Sequence, residues 1–305
     1  VCFQYLASAL VGMLALSSTS GSLPAQTANT VAGPSLGVTG TVKRHANFPS
    51  RHVDARNIDV WLPPDYTTSD HRYPVLYVHD GQNAFNPATA FGGIDWGFDE
   101  TMTQLIAAKR IKPAIVVAIW NTPKRFQEYM PRRALRSDSV LFTGVPGVDP
   151  LPGPVLSDAY LRFITTEVKT FIDRTYRTRR EREHTFIMGS SMGGLISLYA
   201  ISELPGLFGG AACLSTHWPA GNGATVEYFR THVPKRDDHR LYFDRGSATL
   251  DSLYAPYQTQ VDAIVRAAKY QDGEHLMSLV FEGAEHSERA WRARLEQPLL
   301  FLLGR

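Results

Sequence analysis

The sequence predicts an α/β fold in which a central, mostly parallel sheet carries helices on both faces. Three observations lead to it. Apolar runs too short for helices, such as Val75–Val78 and Ala114–Ile119, read as strands covered on both sides. Segments of helical period alternate with them; Tyr160–Ile172, for example, places Leu161, Ile164, Val168, Phe171 and Ile172 on one face. Finally, His184–Ile201, reading HTFIMGSSMGGLISLYAI, runs from an apolar strand through a glycine-rich turn into a helix without a break.

From the N-terminus, residues 5–16 form an apolar stretch, followed by serines, Pro24 and Ala25. It is too short for a membrane span and has the make-up of a secretory signal lacking its basic start, so residues 1–25 are expected to be removed. Residues 26–49, rich in Thr, Ala, Gly and Val, read as a mobile lead-in with a first edge strand. The catalytic domain is expected over residues 50–305, as a single unit. Asn57–Leu62 alternates in period two and stops at Pro63-Pro64, which marks a strand and a turn. Asp138–Pro154 has glycines and prolines without periodicity, the composition of a long loop or lid. Three further strands are expected at Gly210–Leu214, Arg240–Phe243 and Leu276–Phe281.

Composition narrows the function classes. The chain has 305 residues, 44% apolar and 20% charged, with a formal net charge of +2. That balance gives no reason to expect a nucleic-acid partner or a membrane-surface one. Of the two cysteines, Cys2 lies in the segment expected to be removed, and Cys213 sits in an apolar run as a buried structural thiol. No histidine pair has helical ligand spacing and no cysteine pair exists, so no metal or other cofactor is expected.

The chemistry starts at Gly189-Ser190-Ser191-Met192-Gly193-Gly194, a glycine–x–serine–x–glycine at a strand-to-helix junction. Lifting a serine hydroxyl onto a helix N-terminus needs a turn so sharp that flanking side chains clash, and Gly189 and Gly193 are expected to relieve this. The amide of Met192 then faces the place where an oxyanion would form. In an open parallel sheet, reactive groups gather beyond the carboxyl ends of the strands. Of the histidines late enough in the chain, His275 precedes the last strand and His286 follows it, so His286 is the expected base. The acid is expected in the loop after Arg240–Phe243, where Asp251 has the reach and Asp244 is the alternative. Asp80-Gly81-Gln82 should supply the second oxyanion donor through the amide of Gln82, with Asp80 as a turn brace. Arg125, Glu128 and Tyr129 either line a substrate groove or form an internal ion pair anchoring their loop. Trp96, His217 and Trp218 fall in loops at the same edge, as stacking partners of a substrate or as pocket wall.

Five stretches in order, Tyr77–Asn83, Arg125-x-x-Glu128-Tyr129, Gly189–Gly194, Gly246–Tyr254 and Gly283–Ser287 with Glu288 and Trp291, resemble the esterase D-like and enterochelin esterase-like α/β-hydrolases. The resemblance spans about residue 50 to the C-terminus. It implies the α/β-hydrolase fold, Ser191 as nucleophile, Asp251 as acid, His286 as base and the amides of Gln82 and Met192 as oxyanion donors. The function it implies is a serine carboxylesterase acting on a small-molecule or glycan-linked ester of feruloyl, acetyl-xylan or siderophore type; that the protein is secreted or periplasmic is expected from the apolar segment at residues 5–16. Two alternatives stand beside it: an acyltransferase of mycolyltransferase type on the same triad, and a non-catalytic carbohydrate- or partner-binding homologue.

Overall fold

The structure is a computed structural model that describes residues 38–135, 153–235 and 239–304. The expected signal segment, the start of the lead-in and nearly all of the expected lid, residues 138–152, lie outside the described residues.

Eight strands form one sheet: β1 (Thr41–Phe48), β2 (Arg56–Leu62), β3 (Val75–Val78), β4 (Ile115–Ile119), β5 (Thr185–Ser190), β6 (Gly210–Leu214), β7 (Arg240–Gly246) and β8 (Leu276–Phe281). Their spatial order is β1-β2-β4-β3-β5-β6-β7-β8. β2 pairs antiparallel with both its neighbours, and every other pairing is parallel. The helices are α1 (Phe98–Ala107), α2 (Arg125–Tyr129), α3 (Ser157–Arg162), α4 (Lys169–Thr175), α5 (Met192–Glu203), α6 (Ala224–His232), α7 (Ala255–Ala267), α8 (Glu288–Arg294) and α9 (Glu296–Leu303). Among the described residues no helix is long and apolar enough to cross a membrane.

Strand alternation divides the core in two. Val75, Tyr77, Ile187, Ala211, Cys213 and Phe243 point to one face, where α3 to α7 pack. Their neighbours Leu76, Val78, Phe186, Met188, Ala212, Leu214 and Tyr242 point to the other, against α1, α8 and α9. A strand buried on both faces needs apolar residues at every position, which is why these segments appear as unbroken apolar runs.

The first edge strand expected in the lead-in is β1, which pairs with β2 from Thr41 to Phe48, with a bulge between His45 and Phe48. The structure departs from the expected elements in two places. Tyr160–Ile172 is not one regular helix, because α3 passes through a π-helical turn, Phe163–Val168, before α4. β7 runs beyond Phe243 to Gly246, pairing Asp244, Arg245 and Gly246 with Leu279, Val280 and Phe281 of β8. A buried aspartate can stay in that strand because Arg294, from α8, ion-pairs with it at 2.9 Å.

The chain leaves β3 towards one side of the sheet, to β4, and returns across it to β5. The crevice between the carboxyl ends of β3 and β5 is therefore the topological switch point, where ligands of open α/β sheets bind.

Candidate active site

At the end of β5 the backbone of Ser191 takes φ 57° and ψ −120°, and α5 begins at Met192. A non-glycine residue there stores on the order of 1–3 kcal/mol, tolerable only where neighbours hold it. The hold is visible: Ser191 N–H donates to Leu214 O at 2.8 Å, and Ser191 O accepts from Gly194 N at 3.0 Å and His217 N at 3.2 Å. A Cβ on Gly189 would stand 2.8 Å from the backbone of Gly193, so residue 189 has to be glycine. Gly193 itself is not under that constraint, since its added Cβ would meet Asp80 Oδ2 and His79 Cβ at an ordinary 3.5 Å. The expected clash is thus relieved at Gly189 alone. Gly194 is tight for a different reason, with Thr216 Oγ1 2.6 Å away.

His286 follows β8 in a loop tied to the one after β7. His286 N–H donates to Thr249 Oγ1 at 2.8 Å, and the amides of Ser247 and Ala248 both donate to Ala284 O at 3.1 and 3.0 Å. A Cβ on Gly246 would lie 2.0 Å from Ala284 O, so glycine lets the two loops touch. Across this seam His286 Nδ1 lies 2.6 Å from Asp251 Oδ1. The second carboxylate oxygen, Oδ2, accepts from Ser215 Oγ at 2.5 Å and Gly246 N at 2.6 Å. Burial pushes the Asp251 carboxyl up, but the hydrogen bonds from His286 and Ser215 outweigh it and leave it below the usual range. An ionised Asp251 accepts the Nδ1 proton and leaves Nε2 with a free lone pair. Asp244, the alternative acid, is turned elsewhere: it binds Arg294 at 2.9 Å and accepts from Tyr242 OH at 2.9 Å and Ser215 N at 3.2 Å.

Among the described residues no hydrogen bond joins Ser191 Oγ to the imidazole. The connection runs through β6, because Leu214 accepts from Ser191 N–H and the next residue, Ser215, holds Asp251.

The loop after β3 lies against the start of α5. Asp80 has φ 56° and ψ 43°, and a Cβ on Gly81 would come within 2.3 Å of the Ala118 backbone, so the loop is pressed onto β4. Two hydrogen bonds of 2.7 Å tie Asp80 to Arg125, and Asn121 Nδ2 adds a third of 2.7 Å. Burial works against the Asp80 charge, yet the Arg125 guanidinium beside it holds the carboxyl below its ordinary range. Asn121 N–H also donates to Gln82 Oε1 at 3.1 Å, which fixes that residue. The amides of Gln82 and Met192 meet no acceptor among the described residues, as the first amides of a helix commonly do not.

The weaker expectations separate. Glu128 forms a buried pair with Arg56 at 2.6 Å and Arg125 pairs with Asp80, so this segment holds two ion pairs rather than one. Tyr129 OH accepts from Asp80 N at 3.2 Å. Trp218 is fully buried, packed on Phe243, and its indole N–H donates to Gln258. Trp96 is also buried, edge-on to Trp291. Both indoles therefore back the site from the core and present no face to a ligand. His217 is different. Its Nδ1 is 2.7 Å from Tyr254 OH, and Tyr254 in turn packs edge-on to His286. Burial, followed by the charges of His286 and Arg125, lowers the His217 pKa to about 4. Cys213 is buried, and burial pushes its thiol up. Asp95, Asp99 and Glu100 form a carboxylate group, with Arg292 ion-paired to Asp95 and Glu100.

Ser215 and Arg294 are parts of the site that the sequence did not point to, while Tyr254 and Trp291 entered only through the resemblance. Trp291 and Arg294 stand three apart on α8, one above the other, and that spacing was the available signal.

A family model described as "Putative esterase" matches residues 50–302. An uncharacterized protein, YbbA, from Bacillus subtilis (strain 168) is 27% identical over 172 residues, which is 56% of this chain; the chain spans 61% of that relative's length. The enterochelin esterase of Shigella flexneri is similar in structure, with a TM-score of 0.62 at 18% identity over 86% of this chain and 57% of that one. A CE1 ferulic acid esterase from Anaeromyces mucronatus, solved with ferulic acid, has a TM-score of 0.60 at 19% identity over 85% of this chain and 89% of its own. At these identities the likeness is one of fold, and that fold is the α/β-hydrolase sheet with its surrounding helices.

Proposed function

This chain belongs to the esterase family whose model it matches, and from that premise we propose that it is a serine carboxylesterase working through an acyl-enzyme. The observation that carries the reading is the half-buried 2.6 Å contact of Asp251 with His286 Nδ1, at the same edge of the sheet as the strained Ser191.

The chemistry follows from the atoms. Nδ1–H is given to Asp251, so Nε2 takes the proton of Ser191 as its Oγ attacks the ester carbonyl. The carbonyl oxygen becomes an oxyanion above α5, where the amides of Met192 and Gln82 receive it. His286 then passes its proton to the departing alcohol, leaving an ester on Ser191. Water, deprotonated by the same imidazole, releases the acid and restores the hydroxyl.

The substrate class proposed is a carboxylic ester carried by a small molecule or a glycan, of the ferulate, acetyl-xylan or siderophore kind. The ferulic acid esterase and enterochelin esterase among the similar structures support it. Export is proposed from the apolar segment at residues 5–16.

The test is a panel of short-acyl p-nitrophenyl esters, methyl ferulate, acetylated xylan and a catecholate siderophore, run on the wild type and on Ser191→Ala. Turnover of at least one ester, lost by about three orders of magnitude or more in the variant, is expected, with fluorophosphonate labelling of Ser191. Undiminished turnover in Ser191→Ala would refute it.

A further inference from the structure

Beneath the Asp251–His286 pair lies a second set of charges that the mechanism above does not use. Ser215 Oγ donates to Asp251 and accepts from Trp291 Nε1 at 3.0 Å and Arg294 Nη2 at 2.7 Å. The same Nη2 is 2.9 Å from Asp244 Oδ1 and 3.9 Å from Asp251 Oδ2. Both carboxylates are fully buried and Arg294 is 3% exposed. Arg294 Nε and Nη1 meet no acceptor among the described residues, and the ring of Phe281 lies 5.1 Å from the guanidinium.

A buried arginine with two idle nitrogens is expensive to keep as packing alone. Two buried carboxylates held by one serine, on the other hand, cannot both stay ionised without a cation, and one would take up a proton. Taking the esterase reading of this site as given, we propose that Asp244 is a positioning residue: paired with Arg294 at 2.9 Å, it offsets the buried guanidinium beneath Asp251 so that the cation does not draw Asp251 away from His286. With Arg294 present, Asp251, Asp244 and Arg294 together carry one negative charge. With Asp244 offsetting Arg294, the charge of Asp251 is left to answer the imidazolium that forms when His286 takes the Ser191 proton. Asp244 absorbs the nearer share of the guanidinium charge and keeps it from competing with His286 for Asp251.

The other ionisable groups near the imidazole are His217 and Tyr254 from the loops after β6 and β7, and Glu288 on α8, with Asp80 and Arg125 next to Glu288. The variants that test the pair leave all of these in place.

Asp244→Asn removes one negative charge and leaves Arg294 uncompensated. The acidic limb of kcat/KM for a p-nitrophenyl ester should then move down by about one pH unit, the scale of a neighbouring charge. Arg294→Met combined with Asp244→Asn removes both charges and should return the limb to its wild-type position. The same shifts should appear in the 13C titration of the His286 Cε1 resonance, assigned by its loss in His286→Asn. That resonance reads the imidazole directly. It therefore decides the matter even if the wild type turns over no ester and escapes fluorophosphonate, a result that would sink the esterase reading and not the charge pair. An imidazole whose titration does not move in Asp244→Asn, or a folded double variant that titrates like Asp244→Asn, would overturn the proposal and reduce the two residues to structural support. If the double variant does not fold, Asp244→Asn alone decides.

Discussion

Replacing Asp251 by asparagine should disable the site by reversing one proton rather than by deforming it. Both groups at Oδ2 are fixed donors. The Gly246 amide can only donate, and the Ser215 hydroxyl already accepts from Trp291 and Arg294, so its own hydrogen goes to Asp251. An asparagine in this position must therefore put its carbonyl oxygen at Oδ2 and its NH2 towards His286 Nδ1. Nδ1 then accepts, the ring proton moves to Nε2, and Nε2 can no longer take a proton from Ser191. The expected loss in kcat is about ten-thousandfold, or about 5 kcal/mol of barrier. The assay is p-nitrophenyl acetate hydrolysis at neutral pH, with circular dichroism and thermal melting to verify the fold. A folded Asp251→Asn protein that keeps more than about a tenth of wild-type kcat would refute this account of the tautomer.

Two further expectations concern stability. Ser191→Gly should relieve the φ 57°, ψ −120° backbone and raise the melting temperature by a few degrees, from about 1 kcal/mol net after glycine's entropy, while abolishing ester turnover; an unchanged or lower melting temperature would count against strain at the elbow. Burial lowers the pKa of His79 to about 3 and that of His217 to about 4, whereas both titrate near 6.5 in an unfolded chain. The unfolded state alone then gains protons as pH falls below about 6.5, so stability present above that pH is lost on acidification, by about 2 kcal/mol per histidine down to pH 5. Urea midpoints at pH 7.5 and 5 measure this, and His217→Gln should reduce the difference by about half, His79 supplying the rest; equal midpoints in the wild type would contradict it.

The elements legible in the chain were those whose burial was the same along their length. β3 and β6 begin and end as the apolar runs do, because a doubly covered strand leaves no position for a polar side chain. β7 was read short because Asp244 looks like the end of an apolar run, and it stays in the strand through Arg294, 50 residues further on. The same distance explains the ion pairs: Arg125 and Glu128 are neighbours on α2, yet each pairs with a residue brought from elsewhere, Asp80 and Arg56. Trp96 and Trp218 lie in loops where either stacking on a substrate or walling a pocket was open, and their side chains are buried.

Sequence alone determined the strand–turn–helix at Ser191, the direction of the sheet and the loop that carries His286, since these follow from hydrophobic period and from the conformational needs of glycine. Tertiary structure alone decided which carboxylate faces the imidazole, which glycine the elbow cannot lose and which cation lies beneath Asp251. Those choices depend on distances between residues far apart in the chain, and a hydrogen bond or ion pair gains its energy only when both partners are held within a few ångströms of each other.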